Sequence, residues 1–571
     1  MQGCPISRHR FCHFILILYI CLGTGCVNES IDNGSPLLVY QQDLADRGAQ
    51  QRVDTDGSDA NEPLGLLQPV DSGDDPDFDV DPNALSDANE PKSLTPSTTL
   101  GLQEAITKAL SNSPEVRVIS FDPSIAEQEL IQNTAEFDTT AFGRANYAYD
   151  DKPTSSLSEI GVSDNRLFEA GVRQKNTIGG EWSASYLLTR TWDDLPTRDP
   201  QTRYEPVLAF QVRQPLMRDA GKDVVLAGVD VARLNHTVAL TSFRQRAEEV
   251  AAGVVSAYWQ LHLANLELVI HEEWLEMARE TLTKVEGREG IDATDVQIKQ
   301  AQSRVWTREG FLIQARRQVY DAQDRLLRLL ADPDLNILSV SEISLSTAPS
   351  EEARAFDMDQ ILAVAMQHNP QIAQARLSID IADINTKVAK KGRMPRLDLV
   401  ASAGTQTLEE SHWNSVDRFR DMDHYSAAIG LSIEYPFKNR SREAEYTRRM
   451  IEKQKAVTTL QNLADQIAEQ VKQNIRRIES SYEEIAVQKN AAEAARIHME
   501  ALEETEEIRE KLTAEYLLVK LQAQDTYSGA RRDYRRAIMG YNIALSELAK
   551  TTGTLLNLHR LQPPAQHENV N

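Results

Sequence analysis

Side chains suited to nucleophilic or metal chemistry are scarce in this chain and poorly spaced for it. The four cysteines stand at positions 4, 12, 21 and 26, so the body carries no thiol for a disulfide, a thiolate metal site or a cysteine nucleophile. His271-Glu272-Glu273-Trp274 approaches a zinc helix but lacks the second histidine four residues on that would bring two imidazoles to one face. It reads as a surface histidine on a charged helix. With no phosphate-cradling glycine loop and no catalytic triad, neither enzymatic activity nor a cofactor or metal is expected. What remains is carboxylate. Glu286, Glu289, Asp292 and Asp295 surround Gly287 and Gly290, followed by Val296, and Glu503, Glu504, Glu506, Glu507 and Glu510 form a second cluster. Multiplied by rotational symmetry, such groups would make a ring that attracts cations. The competing reading is a solvated helix face, partly offset by Arg509 and Lys511.

Composition narrows the setting of these carboxylates. The 571 residues include 61 basic and 86 acidic side chains, a net charge of −25, which argues against a nucleic-acid partner because phosphate counterions are displaced by Lys and Arg. A mean hydropathy of −0.44 rules out a bundle of membrane-spanning helices. Residues 1–26 read as an export signal, with Arg8 and Arg10 ahead of the apolar run Phe14–Leu22 and small residues before Cys26. That end resembles a bacterial lipobox and makes Cys26 the expected site of lipid attachment. Residues 27–98 hold 16 acidic residues against Arg47, Arg52 and Lys92 and repeat the hexapeptide Ser-Asp-Ala-Asn-Glu-Pro at 58 and 86. This is the composition of a disordered acidic linker.

From residue 99 the chain reads as a duplication. Leu102 to Val116 aligns without gaps on Met358 to Ile372, an offset of 256 residues that superposes Pro114 on Pro370. Each copy predicts a short helix ending before its proline and a second helix starting on it. Period-two stretches follow. Tyr425, Ala427, Ile429, Leu431, Ile433 and Tyr435 alternate with small and polar residues, and Tyr204, Pro206, Leu208, Phe210 and Val212 alternate with Glu205, Val207, Ala209, Gln211 and Arg213 in the first copy. Apolar-out, polar-in alternation with aromatics at the ends suits a transmembrane barrel strand, although a soluble sandwich strand gives the same pattern. Partner strands are expected at Ala141–Tyr149 and Leu397–Ala403, and an extra pair at Leu167–Gln174 and Glu181–Thr189 in the first copy only.

Long helices come next in each copy. Leu240, Phe243, Ala247, Val250, Val254, Ala257, Leu261, Ala264 and Leu268 recur at a period of 3.5, as do Val457, Leu460, Leu463, Ile467, Val471, Ile475, Ile478, Tyr482 and Ile485. This predicts left-handed coiled-coil packing. Helices are expected at about 222–286 returning through 292–333, and at about 439–509 returning through 512–551. In each copy the proline-opened helix and the returning helix together match the long one, giving columns on the order of 100 Å.

These residues resemble the TolC-like outer-membrane efflux proteins. The likeness covers nearly everything after residue 99. It rests on Ala257-Tyr258-Trp259-Gln260-Leu261, Thr294-Asp295-Val296 through Ala301-Gln302, the junctions Gln214-Pro215-Leu216 and Tyr435-Pro436-Phe437, and Ala530 through Leu548 followed by Gly553. The resemblance implies a mainly α, mixed α/β membrane protein: a homotrimer sharing one outer-membrane β-barrel continuous with a periplasmic coiled-coil tunnel. It further implies a passive exit duct, coupled through a periplasmic adaptor to an inner-membrane transporter and embedded in outer-membrane lipid. Two features depart from that pattern: the extra strand pair, and Val519 where relatives often carry an aspartate.

The expected organisation is a signal peptide at 1–26, a linker at 27–98, repeats at 99–354 and 355–556, and a disordered tail at 557–571. The hairpin turns carrying Gly287, Gly290, Asp292, Asp295, Val296, Glu503, Glu506 and Glu507 would form the periplasmic entrance. The alternative is a lipid-anchored coiled-coil spacer of the envelope with no pore. Mass spectrometry of the mature N-terminus is expected to find acylated Cys26 as the first residue; unmodified Cys26, or cleavage elsewhere, removes that assignment. Two or more acyl chains anchor stably where one is marginal.

Overall fold

The computed structural model describes residues 98–559, apart from 157, 334, 336–342, 409, 411–423 and 509–512. The export segment with Cys26, the acidic linker up to residue 97 and the tail from residue 560 lie outside the described residues. Described elements begin with β1 (Thr98–Leu100), α1 (Leu102–Asn112), α2 (Pro114–Thr134) and a short 3-10 turn, then β2 (Thr140–Asp151), β3 (Val162–Lys175), β4 (Glu181–Asp193) and β5 (Thr202–Pro215). There follow α3 (Lys222–Val225), α4 (Ala227–Glu286), α5 (Asp295–Leu330) and β6 (Ile343–Leu345). The remainder is α6 (Met358–His368), α7 (Pro370–Gly392), β7 (Arg396–Gln406), β8 (Tyr425–Glu434), α8 (Arg440–Ile508), α9 (Ala514–Thr551) and α10 (Leu555–Leu558).

Helix boundaries follow from local chemistry. Pro114 and Pro370 open α2 and α7 at positions where the missing N–H costs nothing. Asn369 caps α7 by accepting from the amides of Gln371 and Ile372. The first long helix differs from expectation. It breaks at Leu226, leaving α3 separate from the 60 residues of α4. Its return starts at Asp295, where Thr294 and Gln297 form a capping box. The expected tail boundary at 557 falls inside α10.

Packing matches the column lengths. Helix α4 lies against α2 and α5, α8 lies against α7 and α9, and α9 also packs on α4. The 3.5-period residues are the contact: Ala247, Val254 and Leu261 on α4 are fully buried, as are Val471 and Ile478 on α8. Tyr482 is the exception, 37% exposed at the margin of its seam. The largest core gathers where α1, α6 and α10 wedge between the long helices. There β1 and β6 pair in parallel, Thr98 opposite Ile343. The buried Tyr258 hydroxyl donates to the Leu100 carbonyl at 3.1 Å and accepts from the Thr347 amide at 3.0 Å, tying both strands to α4.

Burial also captures charge. Glu248 on α4 is 2% exposed, and desolvation lifts its carboxyl to about 6 against the pull of Arg244. Arg244 additionally donates to the Gly553 carbonyl at 2.9 Å.

Two outcomes follow from this packing. Val471→Glu or Val254→Glu places an unpaired charge in a fully buried seam and should cost several kcal/mol, whereas exchanges at exposed Lys472 and Glu469 should stay within about 0.5 kcal/mol. Thermal melting separates them, and an unshifted melting point for Val471→Glu would refute the seam register. For Glu248 the folded-state pKa lies above the ordinary 4.5, so its contribution is fully present below that value and is lost as pH rises through about 6. Glu248→Gln should therefore flatten the fall in melting temperature across this window; an unchanged slope would show that the loss arises elsewhere.

Candidate functional site

The strands β2 to β5, β7 and β8 form one antiparallel sheet in the order β2-β3-β4-β5-β7-β8. Each neighbouring pair is hydrogen-bonded over about nine to thirteen positions. The extra pair is therefore part of the wall: β3 and β4 sit between β2 and β5 instead of projecting from the sheet. Within one chain the sheet stays open, with β2 and β8 as its edges.

Because strand side chains alternate, the register assigns each residue to a face. One row runs Ala141, Val172, Ala184, Phe210, Ala403 and Ala427 across all six strands. The adjacent row, on the opposite face, runs Thr140, Arg173, Ser183, Gln211, Ser402 and Ala428. The apolar face continues through Leu208, Ile429 and Leu431, which are 45%, 78% and 68% exposed in the single chain. Trp182 packs against Phe210 on that face near the helical end, with ring centroids 6.3 Å apart. Tyr147, Tyr149, Trp192, Tyr204 and Tyr425 stand toward the opposite end of the strands. Two aromatic levels flanking an apolar band are the pattern of a membrane wall.

The other face is charged and internally paired. Arg144 meets Glu169 at 2.8 Å, Arg213 meets Asp398 at 2.7 Å, and Asp193 accepts from Arg198 and Arg203 at 2.7 and 2.9 Å. Gly171 lies on this face under Phe142; a Cβ there would come within 2.7 Å of the ring and of the Ala184 carbonyl. No described helix is long and apolar enough to cross a membrane.

At the far end of the long helices the two turns share a small core of Val285, Ile298, Tyr516, Leu517 and Leu521. Gly290 takes a left-handed φ of +77°, whereas Gly287 stays helical. The carboxylates separate into two groups. Asp292 accepts a two-pronged ion pair from Arg288 at 2.9 and 2.7 Å. Glu506 is paired with the buried Lys520 and lies 3.6 Å from Lys284. Glu503, Asp295 and Val296 are exposed, Val296 at 75%. The Glu507 side chain lies outside the described residues.

Sequence reasoning did not find these cations. Arg288 was accessible through its four-residue spacing to Asp292, but Lys520 reaches Glu506 only through the fold.

A second polar cluster lies between α4, α5 and α9. Arg308 is 1% exposed and donates to the Trp274 carbonyl and Gln524 Oε1, both at 2.9 Å, and to Asp525 at 2.8 Å. Its guanidinium covers the Trp274 ring at 4.8 Å. His271 belongs here and corrects the surface reading: it is 7% exposed, packed against Trp274 and Phe311 beside Arg532. Desolvation first and Arg532 second hold it down to about 4, so it stays neutral at physiological pH. Among the described residues no group of His, Cys, Asp and Glu could hold a metal.

Comparison with known proteins agrees with this architecture. Residues 361–554 match the family described as outer membrane efflux protein. The chain is 21% identical over 466 residues to the proteases secretion protein PrtF of Dickeya chrysanthemi, covering 80% of this chain and 88% of that protein. The outer membrane protein VceC of Vibrio cholerae superposes with a TM-score of 0.58 at 16% identity, over 79% of this chain and 96% of that one. The CmeC outer membrane channel of Campylobacter jejuni gives a TM-score of 0.56 at 12% identity, over 80% and 86%. The matched segment, the secretion-protein relative and the sheet-and-helix architecture agree: residues 361–554 resemble the outer membrane efflux proteins, and the chain shares the fold of the solved outer membrane channels.

Proposed function

We propose that three copies of this chain form a passive exit duct, taking cargo from an inner-membrane transporter through a periplasmic adaptor. The supporting observation is the sheet: apolar on one face, polar on the other, and open at β2 and β8. Backbone groups left unpaired in hydrocarbon cost several kcal/mol each, so the edges must find partners, and pairing β8 of one copy with β2 of the next satisfies both. Three six-stranded sheets give an 18-stranded barrel. Barrel diameter grows roughly linearly with strand number, so its lumen would be about half as wide again as that of a 12-stranded one.

The polar face then lines the lumen, and the ends of α4, α5, α8 and α9 around Gly287, Gly290, Glu503 and Glu506 form the entrance. Energy comes from the partner pump, and the chain itself catalyses nothing. Cys26 would supply a lipid anchor beside the barrel.

The thiol-free body makes the edge pairing directly testable. Ala145→Cys on β2, combined in turn with Ala427→Cys, Ile429→Cys and Leu431→Cys on β8, should give disulfide-linked trimers on denaturing gels for at least one pair. Monomers throughout the scan would refute the closure. In planar bilayers Glu503→Gln should weaken cation preference. Glu506→Gln should act differently, because it strands the buried Lys520 ammonium and should cost about 3 kcal/mol of tip stability. Unchanged selectivity in Glu503→Gln would return that carboxylate to the solvated surface.

A further inference from the structure

The apolar face of the sheet carries one feature that the duct does not use. On β3 and β4 the register sets Arg166 directly opposite Arg190, and both project from the same face as Phe168 and Leu188. Like charges directly opposed across strands repel. On a lipid-facing wall the repulsion is less screened than in water. Among the described residues a single carboxylate, Asp164, serves both. It lies 3.2 Å from two Arg166 nitrogens and 3.5 Å from Arg190 Nη1. Arg190 Nη1 is buried and makes no hydrogen bond. The pair therefore holds one positive charge more than the described residues around it neutralise.

Its position identifies the class of anion. Strands β2, β5, β7 and β8 all join their helices at one end, at Thr140, Pro215, Arg396 and Glu434, and the arginines stand near the other end. They are level with the aromatic belt: Arg166 lies over the Tyr147 ring at 5.6 Å, and Arg190 is opposite Tyr204. Below them an open groove of about 430 Å³ is floored by Ala145, Phe168 and Leu188. Two planar guanidinium groups above an apolar groove match a phosphate above an acyl chain, since Arg binds phosphate oxygens through paired N–H donors.

We infer that Arg166 and Arg190 form a docking site on the barrel exterior for the phosphate of a lipid headgroup in the leaflet remote from the helices. The inference rests on reading the sheet as a membrane wall. The full-length protein, delipidated in mild detergent, should retain diphosphoryl lipid A in native mass spectrometry and bind its dephosphorylated counterpart about tenfold more weakly.

Arg166→Gln/Arg190→Gln should abolish that preference, while Arg166→Lys/Arg190→Lys keeps part of it. If the double variant does not fold, Arg190→Gln alone, which leaves the Arg166–Asp164 pair in place, should reduce the preference in the same direction. Equal retention of the two lipids by the unmodified protein, or an undiminished preference in the glutamine variants, overturns the inference. So does displacement of the lipid by an equal concentration of inorganic phosphate, which would mark a small-anion site. Planar-bilayer conductance distinguishes the two readings: normal conductance without phosphate preference refutes only the lipid site, and phosphate preference without conductance refutes only the duct.

Discussion

The edges of the six-stranded sheet impose the constraint on which the rest of the molecule depends. Along β2 and β8 one rank of N–H and C=O groups has no strand partner among the described residues, and in hydrocarbon no water can supply one. An open sheet with one apolar face is unstable alone both in water and in lipid. Every other described element can be understood as holding that sheet in one fixed orientation. Four strand ends lead into helices, so the angle between strands and helices is set by the packing of α2, α4, α7 and α8. Arg213 and Asp398 pin the junction of the two halves at this level.

The helical part achieves this rigidity with small side chains. Alanine at 247, 251, 257 and 264 lets α4 approach its neighbours closely, and closely packed interiors transmit strain instead of absorbing it. The buried Arg308, Gln524 and Trp274 add direction to that packing. A hydrogen-bonded polar layer admits one register where an all-apolar seam would tolerate several.

Most of this was legible in the sequence, and the failures have physical causes. Period-two alternation located β7 and β8 to within a few residues because each strand has one face in each environment. The 3.5 period found Val254 and Val471, both fully buried. The same period would have found His271 had the seam been extended: Leu268, His271, Leu275 and Ala278 continue it without interruption. The neighbouring Glu272 and Glu273 diverted the reading toward solvent, although they occupy the outward positions that the period assigns them. Arg308 is similar, lying between Val305 and Leu312 on its own seam. The place of β3 and β4 in the sheet could not be read from alternation, which is the same whether a hairpin stays in the wall or leaves it; only the hydrogen-bond register decides. The Lys520–Glu506 contact joins two helices across a turn and has no local signature.

The parallel pairing of β1 with β6 has a consequence in time. Thr98 to Leu100 emerge early from any synthesis or export machinery that works from the N-terminus, yet their partners at Ile343 to Leu345 follow about 245 residues later. Leu100, fully buried in the finished protein, must stay exposed in the interim. β5 waits in the same way for β7. Such distant pairings close large loops and are slow. The first half therefore cannot mature as an independent unit, and the nascent chain spends its passage with a greasy strand and an open sheet edge uncovered. A holding chaperone in the compartment it crosses would meet that need.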